Sequence, residues 1–110
     1  FDLRKLIRLC EELNEAAEDG AWYSVMFLTR AVIDHVPPAF GHQTFAQVVG
    51  QVPGKHVKPA TQALDSFVRN AAGLHLHEPL KARLSLPTET QANVGHYLDV
   101  VLGEVEKVLK

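Results

Sequence analysis

The stretch "LRKLIRLCEELNEAAEDG", residues 3–20, decides the fold because it carries one uninterrupted helical pattern that ends on a glycine. Its apolar side chains recur every three to four residues, at Leu3, Leu6, Ile7, Cys10, Leu13 and Ala17. This spacing gathers them on one face of an α-helix, and the glutamates fall on the other. Gly20 tolerates positive φ, so we expect the helix to end there.

Three more main helices follow from the same pattern. Residues 22–36 are apolar on nearly every side, which is typical of a central helix, and Pro37 and Pro38 stop it because proline cannot donate to the helical ladder. Pro59 suits the first turn of a third helix. Thr88 and Gln91 have the spacing of a capping box and start a fourth helix that extends to the end of the chain.

The long connection between the second and third helices carries a further helical signal. Thr44 and Gln47 form a second capping-box pattern, which predicts a short helix at about residues 44–50. No segment alternates like a strand. The sequence therefore predicts an all-α, antiparallel four-helix bundle with one additional short helix, in which Trp22 and Tyr97 pack in the core and do not stack on bases.

Length and composition favour a single domain over residues 1–110, since the chain has 110 residues and is 46% hydrophobic. No apolar run is long enough for a bilayer crossing, so no membrane partner is expected. The single cysteine, Cys10, cannot form an internal disulfide; we interpret it as a core thiol and predict a cytoplasmic location. Because the chain begins at Phe1 inside a helix, we expect it to be excised from a larger protein.

Charge is distributed unevenly along the chain. The net charge is −2. By counting residues, segment 1–34 has a charge of −3, segment 84–110 of −2 and segment 55–83 of +3. Positive charge therefore gathers around residues 55–83, although five basic residues are few enough for this to be a chance distribution of solvated side chains.

Within that segment, the stretch "FVRNAAGLHLHEP", residues 67–79, places chemistry-bearing side chains near a helix end. On residue types alone, Arg69 is a surface cation and His75 a side chain that favours the negative C-terminus of a helix. Gly73 also permits a turn that brings the two together. Arginine can hold two phosphate oxygens and histidine can exchange protons near neutral pH, so both interpretations stay open.

The order of elements, with Arg69-Asn70 followed by His75 near the end of the third main helix, resembles the HEPN family (higher eukaryotes and prokaryotes nucleotide-binding domains). The family signature is an arginine, usually followed by a polar residue, then a histidine after four to six intervening residues. Five residues intervene here, and Asn70 is the polar neighbour. The helix pattern fits across essentially the whole chain, whereas the motif is short and Gly73 interrupts it.

The resemblance implies a metal-independent endoribonuclease that acts as a homodimer, with no cofactor. Arg69 and His75 would then be catalytic, supported by Asn70, and RNA would be cleaved through attack of its own 2′-hydroxyl. Toxin–antitoxin or antiviral defence systems would be the setting, with an antitoxin or companion domains as partners. The alternative is a non-catalytic HEPN-like dimerisation or protein-interaction module of a larger defence or signalling protein.

Two residues are accessory candidates. His77 falls outside the family spacing, and it either assists at the cleft rim or is a loop residue; with His75 it also has a spacing that can hold a metal in an extended segment, although no metal is expected. Asp34 has i, i+4 spacing from Arg30, which predicts an ion pair on the surface of the second helix. As an alternative, Asp34 reaches the cleft, as the resemblance allows.

Overall fold

The computed structural model describes residues 1–51, 57–67 and 94–109. These residues form five α-helices and one 3-10 turn, with no strand among them: α1 (Leu3–Glu18), α2 (Trp22–His35), the 3-10 turn (Pro37–Phe40), α3 (Phe45–Val49), α4 (Val57–Phe67) and α5 (Gly95–Leu109). The prediction of an all-α fold is confirmed. The antiparallel four-helix arrangement stays a prediction, because residues 68–93 lie outside the described residues.

Helix α1 begins at Leu3 because Asp2 caps it. The Asp2 carboxylate accepts hydrogen bonds from the backbone N–H groups of Arg4 at 3.1 Å and Lys5 at 3.3 Å. These two donors have no partner inside the helix, so the cap satisfies them. At the other end the helix stops at Glu18, and Gly20 adopts a left-handed φ of 67°. The predicted end near Gly20 is confirmed.

Helices α1 and α2 form an antiparallel hairpin. The Ala21 N–H donates to the Ala16 carbonyl at 2.9 Å and closes the turn. The His35 ring contacts the backbone of Asp2, 33 residues earlier in the chain, so the start of α1 and the end of α2 lie together. Helix α2 buries its whole inner face against α1 and its neighbours: Val25, Met26, Thr29, Val32 and Ile33.

The two prolines after α2 end it as expected. Val36 is the last residue before them, and the chain then makes the 3-10 turn and leaves it through Gly41 at a φ of 78°. Thr44 and Gln47 form the predicted capping box, with the Thr44 side chain accepting from the Gln47 N–H and the Gln47 side chain accepting from the Thr44 N–H. The short helix α3 is therefore confirmed, within a residue of each predicted end.

Helices α4 and α5 pack against each other. Pro59 lies in the first turn of α4, as predicted. Backbone N–H groups in the first turn have no acceptor within the helix, so the N–H that proline lacks costs no hydrogen bond. The inner face of α4 buries Val57, Ala60, Thr61, Leu64 and Phe67, and that of α5 buries Leu98, Val101 and Val105. Trp22 and Tyr97 pack against this core, so their prediction as packing residues is confirmed.

The apolar stripe of α1 is only partly covered, which the periodicity did not indicate. Leu6 is 5% exposed, whereas Leu3 and Ile7 are 48% and 50% exposed. Cys10 is half-buried, so it packs against the core without lying fully inside it. No helix in the described part of the chain is long and apolar enough to cross a membrane.

Candidate functional site

The residues that the sequence marks as catalytic, Arg69, Asn70 and His75, lie outside the described residues, as does the accessory residue His77. Their convergence on a shared cleft therefore stays a prediction. Phe67 is the last described residue before them, and it is buried at the end of α4.

Asp34 is the one accessory candidate whose position is described. It lies on the last turn of α2 with its side chain 65% exposed, and its Oδ2 lies 3.8 Å from Nε of Arg30. This is the predicted i, i+4 ion pair, and such a pair at the surface contributes only a few tenths of a kcal/mol, about 0.3–0.5. A role for Asp34 in the cleft stays a prediction.

His35, next to Asp34, has a structural contact that the sequence did not reveal. Its Nε2 lies 2.9 Å from the Asp2 carbonyl oxygen, and because a carbonyl can only accept, Nε2 carries the proton and donates it. The ring of Phe1 also lies 5.1 Å from the His35 ring, centroid to centroid. His35 thus joins the end of α2 to the start of α1.

The other histidines of the described residues do not form a metal site. No group of three or more His, Cys, Asp or Glu side chains with the geometry to hold a metal ion occurs within residues 1–51, 57–67 and 94–109. His96 is exposed on α5, with its ring 3.8 Å from that of Tyr97. His56 lies outside the described residues.

An apolar groove lies between α1 and α5. It encloses about 420 Å³ between the first half of α1 and the second half of α5. A smaller recess of about 150 Å³ continues it between the second half of α1 and the first half of α5. Cys10, Asn14 and Leu102 line both. The two helices therefore run antiparallel as the walls of one groove, hereafter the α1–α5 groove.

Apolar side chains form the floor of the groove, and acids stand at its edge. Ile7 and Cys10 of α1 face Leu102 and Leu109 of α5 across the larger part. The charged residues that line the groove are all acidic: Glu11, Asp99 and Glu106. Such a surface attracts an apolar ligand with positive flanks.

Cys10 lies where the two parts of the groove meet. Burial raises the pKa of its thiol, and the negative charge of Asp99 raises it further. A raised pKa keeps the thiol protonated at neutral pH and makes it a poor nucleophile. Cys10 is therefore part of an apolar floor and not a reactive centre.

The chain matches no family model, and comparison with curated proteins and with solved structures gives no match either. The α1–α5 groove is the part of the candidate site that sequence analysis missed. The apolar stripe of α1 gave no signal for it, because a stripe of roughly 120°, from Leu13 round to Ile7 at 100° per residue, is ordinary for a helix packed on a core.

Proposed function

We propose that this chain is a protein-interaction module, a helical domain of HEPN type within a larger defence or signalling protein. The observation that carries the proposal is the α1–α5 groove, where Leu3, Ile7 and Leu109 are each exposed by 44–50%. Covering a half-exposed aliphatic side chain contributes about 1 kcal/mol, so a partner that fills the groove gains several kcal/mol from this surface alone.

The edge of the groove favours a protein partner over RNA. Glu11, Asp99 and Glu106 would repel the phosphates of a nucleic acid, whose binding depends on neutralisation by lysine and arginine. A protein segment brings its own apolar side chains and can bring its own cations. The described part of the molecule is thus suited to binding a polypeptide.

A metal-independent endoribonuclease is the second candidate, favoured by the spacing of Arg69, Asn70 and His75 in the positively charged segment 55–83. In that reaction a base removes the 2′-hydroxyl proton, the oxygen attacks phosphorus, and the 5′-oxygen leaves with a proton from an acid. Histidine fits the proton transfers and arginine the charge on the phosphate. Two Arg69–His75 pairs of a homodimer would share one cleft, with His77 and Asp34 at its edge, in a cytoplasmic toxin or antiviral effector.

Incubation of the purified chain with RNA in the presence of a chelator separates the two candidates. The variants are Arg69→Ala and His75→Ala, and His96→Ala is the matched control because His96 is exposed on α5. The interaction module predicts cleavage that is absent, or equal in all four proteins. Cleavage by wild type and His96→Ala only, with 2′,3′-cyclic phosphate ends, would establish the ribonuclease and overturn the first proposal.

A further inference from the structure

The α1–α5 groove has the shape of a site for a helix. Its walls are two antiparallel helices, and the α1 residues that line it include apolar Leu3, Ile7 and Cys10 and polar Asn14, at a spacing of three to four residues. The 16 residues of α1 give the groove a length of about 24 Å. A ligand that lies along it must present apolar groups at the same spacing, which an amphipathic helix does.

An extended peptide would fit less well. Helical walls offer no free backbone N–H or C=O groups within their turns, so a strand laid on this floor would bury its own backbone polar groups without partners. A helix satisfies these groups internally before it binds. The backbone chemistry of the walls therefore selects a helical ligand.

The charges at the edge of the groove define the flanks of that helix. Glu11 stands on the α1 side, and Asp99 and Glu106 stand on the α5 side. The Asp99 charge reaches the floor, since it helps to raise the pKa of the Cys10 thiol. Lysine or arginine on both sides of the apolar stripe of the ligand would therefore meet a carboxylate on each wall.

A second copy of the chain supplies these cations poorly. Arg8 of α1 lies 3.1 Å from Glu12, and Lys107 of α5 lies 3.1 Å from Glu104, so each of these cations comes with an acid and adds no net positive charge. Lys5 lies 200° around α1 from Ile7, on the side away from the groove, by the 100° per residue of a helix. Two copies placed groove to groove would bring Glu11, Asp99 and Glu106 of one copy close to the same acids of the other. Arg4, 60° around α1 from Ile7, is a single exposed cation near that edge and does not balance them.

We propose that the α1–α5 groove receives an amphipathic helix of a partner protein whose apolar stripe is flanked by lysine or arginine. This inference rests on the proposed role as an interaction module and names the chemistry of the partner. Ile7, Leu3 and Leu109 bind the apolar stripe, and Glu11, Asp99 and Glu106 hold the basic flanks.

The test uses two synthetic peptides of about 18 residues, five helical turns. Both carry leucine at helical spacing; one has lysine and the other glutamate at every remaining position. Affinity for the full chain is measured by calorimetry, and occupancy of the groove by the rate at which iodoacetamide alkylates Cys10, the only cysteine of the chain. We expect the lysine peptide to bind about tenfold more tightly, roughly twofold from each of three carboxylates, and to slow alkylation at least about tenfold.

Two variants locate the effect in the groove. Ile7→Glu should abolish binding of the lysine peptide and leave the fold intact, since Ile7 is half exposed. The double variant Glu11→Lys/Glu106→Lys should reverse the preference toward the glutamate peptide. Glu15→Lys/Glu18→Lys is the matched control, because it makes the same change of net charge on residues that do not line the groove, and it should keep the lysine preference.

Three results would overturn the inference. Equal affinity for both peptides, or a preference that Glu15→Lys/Glu18→Lys reverses as well, would show that the groove does not select the flanks. Protection of Cys10 by self-association at rising concentration, lost in Ile7→Glu, would assign the groove to a second copy. None of these outcomes involves cleavage of RNA, so they remain distinguishable from failure of the proposed function, which the chelator assay detects.

Discussion

Helix α1 has apolar residues in two opposite environments. Leu6 and Ala16 are buried in the core cluster that also contains Val25 and Met26, and Leu6 forms part of the floor of the groove. Toward α5 the helix leaves Leu3 and Ile7 half exposed over a groove. All four residues belong to the same helix, yet Leu6 and Ala16 complete the core of this chain, whereas Leu3 and Ile7 remain half exposed to solvent.

The difference shows what a helical stripe does and does not encode. Apolar spacing fixes which side chains lie on the same side of a helix, because the turn angle is a local property. Whether a neighbour covers that side depends on the path of the rest of the chain. Leu6 and Ile7 are adjacent in sequence but differ in exposure. Substitutions at these two positions therefore measure most directly how much stability a side chain contributes when a neighbour covers it.

The largest expected effect is the difference between Leu6→Ala and Ile7→Ala. Leu6→Ala deletes a buried side chain and should lower the free energy of unfolding by about 2–4 kcal/mol, since it leaves a cavity. Ile7→Ala removes a side chain that is half in water and should lower it by about 1 kcal/mol. Urea denaturation followed by circular dichroism measures both, and equal losses would mean that the groove is closed in solution.

Two glycines give the next effect, with opposite signs on the two sides of the molecule. Gly20→Ala, at a φ of 67° in the α1–α2 turn, should destabilise the fold by about 1–2 kcal/mol because a Cβ disfavours that conformation. Gly103→Ala, within α5 and with open space around its added Cβ, should stabilise it by about 0.5–1 kcal/mol. Thermal unfolding should therefore give a lower midpoint temperature for Gly20→Ala and a higher one for Gly103→Ala than for wild type. A shift of both midpoints in the same direction would contradict the backbone conformation described for the turn or for α5.

A smaller loss is expected when the cap of α1 is removed. Asp2→Ala deprives the Arg4 and Lys5 N–H groups of their acceptor, which should lower the free energy of unfolding by about 1 kcal/mol. Asp2→Asn is the conservative control, because asparagine also accepts these bonds, and it should restore most of the loss. Urea denaturation measures the free energy of unfolding of both variants. If Asp2→Asn were destabilised as much as Asp2→Ala, the loss would come from the missing negative charge and not from the missing cap.

The smallest effect is a dependence of stability on alkaline pH. Because the pKa of the Cys10 thiol is raised in the folded chain, the unfolded chain loses this proton first as the pH rises. The unfolded state then binds fewer protons, so stability falls as the pH passes above the ordinary thiol pKa of about 8.5. Denaturation of wild type and Cys10→Ser at neutral and alkaline pH measures the difference in free energy of unfolding between the two proteins. If that difference were the same at both pH values, the groove would not perturb the pKa of the thiol.

Sequence analysis predicted the elements well where the cause is local. Gly20, the Pro37-Pro38 pair and the Thr44–Gln47 capping box each end or begin a helix through their own backbone chemistry, and the structure shows the helix boundaries they predict. The contact between His35 and Asp2 escaped prediction because it joins residues far apart in sequence. The groove escaped for the same reason, since its two walls, α1 and α5, lie far apart in sequence.

Alkylation of Cys10 in the free chain tests the central claim, that α1 keeps one face open. If the groove is open, iodoacetamide reaches the thiol in the folded state, and the rate stays constant as urea is raised below the unfolding transition. If α1 were covered on both faces, Cys10 would react only after unfolding. The rate would then rise exponentially with urea in step with the falling free energy of unfolding, and that result would contradict the account.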